Sequence, residues 1–368
     1  MSWQRWEFRF LDTCFFRRGE AFNAGEGGYS SVEGIFPPYI TTLQGAVRTS
    51  LAVERGWKPG DKKTEWPEEL GGPDDTGALN FRGPYLIGEG KPYYPVPLML
   101  IKVKGGFSRL IPGETVECDL GKMRLPCPQN KEAEGVKTLE GYFIDKETLE
   151  ILLDGGMPSE KDLESLDYFC VKEPRVGIEI NKEKRRAEEG QLYNIVHIRP
   201  KKHTSLSVYV DGIPSDWKPE KRRIVPVGGE ARLAEVEVND SCLDEIIPSM
   251  PSIKPEKDGK IRFTVTLITP GWYGENAETI REVIINGPPG IPGQCVSACI
   301  GKAVYIGGWD MANREPRPLT AALPPGSLWF FEAEEKDLEK LKELHGSCIS
   351  PRSNCGFGQV IIGKWGDL

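Results

Sequence analysis

Apolar and polar positions follow two periods along this chain, and the switches between them mark its elements. Period-two or continuous apolar stretches predict strands over Trp6–Phe16, Phe81–Ile87, Leu98–Val103, Arg175–Ile180, Gly190–Ile198 and Ser205–Val210. Further strands are predicted over Ala231–Val238, Ile261–Thr269, Cys295–Gly307, Ser327–Glu332 and Gln359–Trp365. Helical spacing is rarer. In FPPYITTLQGAVRTSLAVER, Leu43, Ala46, Val47 and Leu51 share one face, which predicts a helix of about three turns. Pro37 and Pro38 stiffen its approach, Thr41 or Thr42 offers an N-cap hydroxyl, and Gly56 is its natural stop. A second amphipathic helix is predicted over Glu334–His345 on Leu338, Leu341 and Leu344, and a short one over Lys161–Leu166.

These elements recur in order. Each half opens on a strong strand, passes through a hairpin and ends in a glycine turn followed by an alternating strand. The turns are Gly228-Gly229 and Gly356–Gly358. Strand–helix–strand–strand–helix–strand is the ferredoxin-like order. The fold class expected is therefore α+β, with two divergent ferredoxin-like modules. The first covers 1–245 with a large, loop-rich insertion at about 57–165. The second covers 260–368 and ends in a glycine-rich loop, and proline-rich 248–260 links the two. The first module lacks a visible helix before its glycine turn.

Composition narrows the chemistry. A net charge of −8 argues against a free-standing nucleic-acid binder, yet Asn181–Arg223 holds eleven Lys/Arg against six Asp/Glu. Nine cysteines without a CxxC and only three histidines give no metal-ligand cluster, so buried thiols in a reducing cytosol and no cofactor are expected. No apolar run reaches the ~18 residues of a membrane span, and the charged start MSWQRWEFRF is unlike a signal segment. Neither GxSxG nor GxxxxGK[ST] occurs. His197 and His203, in HIRPKKH beside Arg199, Lys201 and Lys202, are the only candidates for metal-free general acid–base cleavage of RNA.

Binding has more support. The first turn of the helix places Thr41, Thr42, Gln44, Gly45 and Arg48 beside unpaired amide donors, an arrangement suited to phosphate. Gly356, Phe357, Gly358 and Gln359 set an aromatic ring between glycines, where a base can stack and a phosphate can approach backbone amides. Trp309, Arg314 and Arg317 repeat the combination of an aromatic residue with arginines.

One ordered series of segments runs nearly end to end: FLDTCFFRRGEAF, FPPYITTLQGAVRTSL, FRGPYLIGEGKPYYPVPL, RVGIEIN with RAEEGQLYNIVHIR, VPVGGEARLAEVE, LITPGWY, IGGWDMANREPRP and GFGQVIIGKW. It resembles the CRISPR-associated RAMP superfamily, specifically subunit three of the type III-B effector, the Cmr complex. The resemblance implies two RRM-related modules and a non-catalytic, cytoplasmic subunit of an antiviral ribonucleoprotein. It also implies a hold on the repeat-derived 5′ tag of the crRNA and partners in the large polymerase-like subunit and the backbone RAMP subunits. Carried onto this chain, it points to Arg17, Arg18 and Asn23 after the first strand, to Thr41, Thr42, Gln44 and Arg48, and to Gly356–Gln359. RAMP endoribonucleases often use a histidine near the first helix, and none precedes His197 here. A metal-independent repeat RNA endoribonuclease using His197 or His203 is the alternative.

Overall fold

The computed structural model describes residues 3–17, 31–118, 121–181, 186–310, 313 and 315–365. It is a mixed fold with 19% helix and 41% strand. Two compact units form, each from separated stretches: 1–90, 167–240 and 305–319 in the first, and 91–166, 241–304 and 320–368 in the second. The expected insertion at 57–165 is therefore split. Residues 57–90 belong to the first unit because Asn80–Gly88 is a strand inside its sheet.

The elements of the first unit are β1 (Trp3–Phe10), α1 (Ile40–Glu54), β2 (Asn80–Gly88), β3 (Cys170–Asn181), β4 (Arg186–Pro200), β5 (Thr204–Asp211), β6 (Arg222–Pro226) and β7 (Leu233–Ser241). The strands neighbour one another in the order β2-β5-β1-β7-β6. Alternation places Trp6 and Phe8 of β1 opposite Val208 and Leu206 of β5, and all four are fully buried. α1 buries Leu43, Val47 and Leu51 and packs against β2 and β6. β6 is the edge strand of this sheet and falls between β5 and β7 in the chain, where the ferredoxin-like order would have a helix. β3 and β4 make a long antiparallel hairpin, and β4 also pairs in parallel with Ser31–Glu33.

The first strand ends at Phe10 rather than Phe16, because the chain leaves the ladder for an isolated bridge between Cys14 and Ile198. α1 begins at Ile40 with Tyr39 as its N-cap and no side-chain cap. Thr41 and Thr42 are thus inside the helix and do not cap it; the Thr42 amide is satisfied by the Tyr39 carbonyl at 3.1 Å. Gly56 follows at φ +89°, a conformation open to glycine.

In the second unit the order is β8 (Lys260–Leu267), α2 (Ala277–Asn286), β9 (Gln294–Cys299), β10 (Leu328–Glu334), α3 (Leu338–Leu344) and β11 (Val360–Lys364). The sheet runs β9-β10-β8-β11, with every neighbouring pair antiparallel. Phe263 and Phe331 lie opposite in register and stack at 5.5 Å between centroids. Val265, Trp329, Leu341 and Ile362 complete a closed core, and the Trp329 indole N–H donates to the Val283 carbonyl at 2.9 Å, fastening α2 to the sheet. The predicted helix at Lys161–Leu166 is replaced by a single 3₁₀ turn at Glu160–Asp162 and a short helix at Leu166–Phe169. Residues 146–153 form a helix instead, capped by the Asp145 carboxylate accepting from the Thr148 amide at 2.8 Å.

Candidate nucleic-acid interface

The site starts from α1. Thr41 and Thr42 are half-buried and Gly45 is exposed, with open space where a Cβ would stand. Gln44 is only 5% exposed, so its amide lies within the packed face of the helix. Arg48 donates to the carbonyls of Gly71 and Gly72 at 2.8 and 2.6 Å, and its guanidinium lies 5.7 Å from the Trp66 ring centroid. Arg48 therefore holds the 66–77 loop, a role that its helix position alone does not reveal. Arg17 is exposed and bridges to Gly34. Arg18, Asn23 and Arg314 lie outside the described residues.

The base of the β3–β4 hairpin gathers more charge than the sequence suggested. Arg199 Nη1 meets Asp12 at 2.6 Å and its Nη2 meets Glu173 at 2.7 Å. Glu173 also accepts from Arg175 at 2.6 Å, while Arg232 reaches Glu230 at 3.0 Å. The hydrogen bond from Arg199 holds the Asp12 carboxyl below its usual range, and those from Arg175 and then Arg199 do the same for Glu173. Glu230 sits in the glycine turn at φ +56°, followed by Ala231 at φ +48°, two strained non-glycine residues in sequence. Gly228 precedes them at φ +77°, where a Cβ would stand 2.7 Å from the Phe15 carbonyl. Asp12, Glu173, Arg175, Glu230 and Arg232 were absent from the sequence-based candidates. The excess of arginine near the hairpin was the available hint, but partners such as Asp12 and Arg199 lie 187 residues apart.

The two histidines of HIRPKKH do not converge. His197 is 1% exposed, stacked on Phe15 at 5.3 Å, with Nδ1 3.2 Å from Thr13 Oγ1 and Nε2 3.1 Å from Glu230 Oε2. Thr, His and Glu in a row have the connectivity of a nucleophile, a base and an orienting carboxylate. Thr13 is also 1% exposed, so a substrate has no approach to it. His203 bonds the Tyr168 carbonyl through Nε2 at 3.0 Å and lies 4.8 Å from the Tyr168 ring centroid. It helps line a cleft of about 200 Å³ with Lys202, Arg9, Glu89 and the nearly buried Glu7. Lys201 is half-buried, and Lys202 is exposed.

In the second unit, the terminal glycine turn is packed inward. Phe357 is 1% exposed and Gln359 is fully buried, donating from Nε2 to the Gly346 carbonyl at 2.9 Å. Thr269 Oγ1 donates to the Gly356 carbonyl and accepts from the Gln359 amide, both at 2.9 Å. Gly358, at φ +68°, packs so closely that a Cβ would lie 2.7 Å from Ser350 Cβ. Neither a base-stacking ring nor a cradle of free amides is presented here, because backbone and core consume both. Trp272, half-buried, instead carries the Arg352 guanidinium 3.6 Å over its ring. In the first unit, Trp309 is 56% exposed, and Arg317 is spent on Asp74 at 3.0 Å and Asp310 at 3.3 Å.

His345 of the second unit accepts from the Ile362 amide through Nδ1 at 3.0 Å and donates from Nε2 to the Pro248 carbonyl at 2.6 Å. Only the neutral ring satisfies both partners. Burial lowers the pKa of His345, and burial likewise lowers that of His197 against the opposing pull of Glu230. The unfolded chain then binds more protons than the folded one as pH drops below about 6.5, so stability is complete above that value and declines beneath it. The melting temperature is expected to fall from about pH 7 to 5 in the wild type. It should fall less in His197→Gln/His345→Gln; an identical slope would refute the assignment of neutral rings.

Among the described residues no helix is long and apolar enough to cross a membrane, and no His/Cys/Asp/Glu group is arranged to hold a metal ion. The fold is similar to that of chains in two solved type III-B Cmr-beta structures. The chain from the complex bound to cognate target RNA and AMPPnP is 15% identical, with a TM-score of 0.52 over 92% of this chain and 88% of that one. The chain from the complex bound to cognate target RNA is 16% identical, with a TM-score of 0.52 over 92% and 89%. No curated protein matches the chain. The chain belongs to the CRISPR-associated Cas_Cmr3 family, whose model matches residues 6–365.

Proposed function

We propose that the chain is a non-catalytic, RNA-binding scaffold of a cytoplasmic type III-B CRISPR effector complex. In this reading it holds the repeat-derived 5′ tag of the crRNA and docks onto the large polymerase-like subunit beside the backbone RAMP subunits. The observation that carries the reading is the family match over 6–365. Strand order supports treating both units as ferredoxin-like, RRM-related modules. Taken in chain order, each sheet reads second, third, first, fourth strand, with β6 replacing a helix in the first unit. The candidate tag contacts are Arg17, Arg18, Asn23, Thr41, Thr42 and Gly45, together with Arg199, Lys201 and Lys202. The acidic total suits a subunit that neutralises only a few phosphates while its neighbours cover the rest. Sealed His197 and the Tyr168-bound His203 favour this reading over repeat RNA cleavage.

Ultraviolet crosslinking of the assembled complex, followed by peptide mapping, tests it. Crosslinks are expected in peptides covering 14–48 and 195–203. Crosslinks confined to other subunits, with this chain present in the complex, would overturn the proposal.

A further inference from the structure

The chain of arginine–carboxylate pairs at the hairpin base, which runs Arg175–Glu173–Arg199–Asp12–Arg232–Glu230 with Arg232 3.8 Å from Asp12, is poorly explained by stability. Its members come from four places: Asp12 after β1, Glu173 and Arg175 on β3, Arg199 on β4, and Glu230 and Arg232 in the glycine turn. Asp12 is 53% exposed, Arg199 46% and Glu230 40%. Ion pairs this open contribute little to folding. The turn that supplies Glu230 is itself strained at two consecutive residues. Three guanidiniums are thus ordered at one locus while three carboxylates cancel their charge.

Carboxylate and phosphate oxygens compete for the same guanidinium fork, with similar bidentate geometry. We propose that Asp12, Glu173 and Glu230 are resident competitors that occupy Arg175, Arg199 and Arg232 until RNA phosphates exchange for them. The inference rests on the RNA-binding reading and adds its regulation. With the pairs formed, a stray polyanion meets a neutral surface and gains little. An RNA strand already held at neighbouring contacts presents its phosphates at high local concentration and opens the pairs. The carboxylates also keep the guanidiniums ordered, so less side-chain freedom is lost on exchange. Because Arg199 and Arg175 hold the Asp12 and Glu173 carboxyls below their usual range, mild acidification leaves these pairs formed.

The test uses the full chain and a labelled 20-nucleotide oligouridylate, titrated over a range of salt. Asp12→Asn/Glu173→Gln is expected to tighten binding at low salt on the order of fivefold and to steepen the salt dependence. Arg175→Gln/Arg199→Gln is expected to weaken it, and thermal melting checks that both variants fold. If the wild type binds and the carboxamide variant binds equally or more weakly, the competitor role is overturned while RNA binding stands. If neither wild type nor carboxamide variant binds, both readings fall. Binding that appears only in the carboxamide variant supports the competitor role.

Discussion

Phe357→Ala is expected to cost about 3–5 kcal/mol of folding stability, the usual range for emptying a buried phenylalanine site. The ring is 1% exposed and lies between Gly356 at φ +88° and Gly358 at φ +68°. The backbone on both sides is fastened: Thr269 bonds to Gly356 and Gln359, and the Gly358 amide donates to the Pro270 carbonyl at 2.8 Å. Ser350 Oγ donates to the carbonyl of Phe357 itself at 2.9 Å. A turn bonded in so many places cannot collapse into the vacated volume, which places the cost high in its range. Equilibrium urea unfolding measures it. Phe357→Leu refills much of the site and should recover more than half of the loss. A base-stacking role predicts the reverse pattern, with near-wild-type stability and lost RNA affinity in both variants. That pattern would restore the surface reading of the glycine turn.

The same residue shows where sequence reading stops. GFG, seen as letters, fits an aromatic displayed on a flexible loop and an aromatic folded under a tight turn equally well. The choice depends on Thr269, Ser350 and Gly346, contacts from other segments that spacing does not encode. Strands with strict alternation were legible to within two residues: Ser205–Val210 is seen as Thr204–Asp211, and Ile261–Thr269 as Lys260–Leu267. α2 went unseen although its signals are present. Asn276 caps it, with its side chain accepting from the Glu278 amide at 2.8 Å, and Ile280, Val283 and Ile284 share one face. The proline- and glycine-rich 287–293 that follows disguised them as loop. Arg48 was placed correctly on α1, but its partners are carbonyls 23 and 24 residues away, and a carbonyl leaves no mark in a sequence. The hairpin-base pairs were hidden for the same reason, since their acids are unremarkable until folding gathers them.

Within the insertion expected at about 57–165 lies a buried charge whose removal is the second large effect. Arg109 is 3% exposed; its Nη2 donates to the Leu152 carbonyl at 2.9 Å and to the Gly156 carbonyl. Leu152 lies in the last turn of the helix Lys146–Leu153, where partial negative charge concentrates, and Gly156 lies three residues beyond its end. Burial pushes the pKa of the guanidinium down to about 10, which still leaves it charged at neutral pH. Two effects compete when it is replaced. Removing a buried charge recovers desolvation energy, but two hydrogen bonds are lost, at about 1–3 kcal/mol together because the Leu152 carbonyl keeps the Gly155 amide at 3.3 Å, and truncation adds a cavity. Arg109→Met keeps most of the volume and isolates the first pair of terms, with an expected net loss of about 1–2 kcal/mol. Arg109→Ala adds the cavity and should lose about 2–4 kcal/mol. Urea midpoints at constant m-value decide between the effects. An Arg109→Met protein as stable as the wild type would mean that desolvation cancels the hydrogen bonds, leaving Arg109 as a specifier of where the strand Gly106–Cys118 and the helix end meet rather than a source of stability.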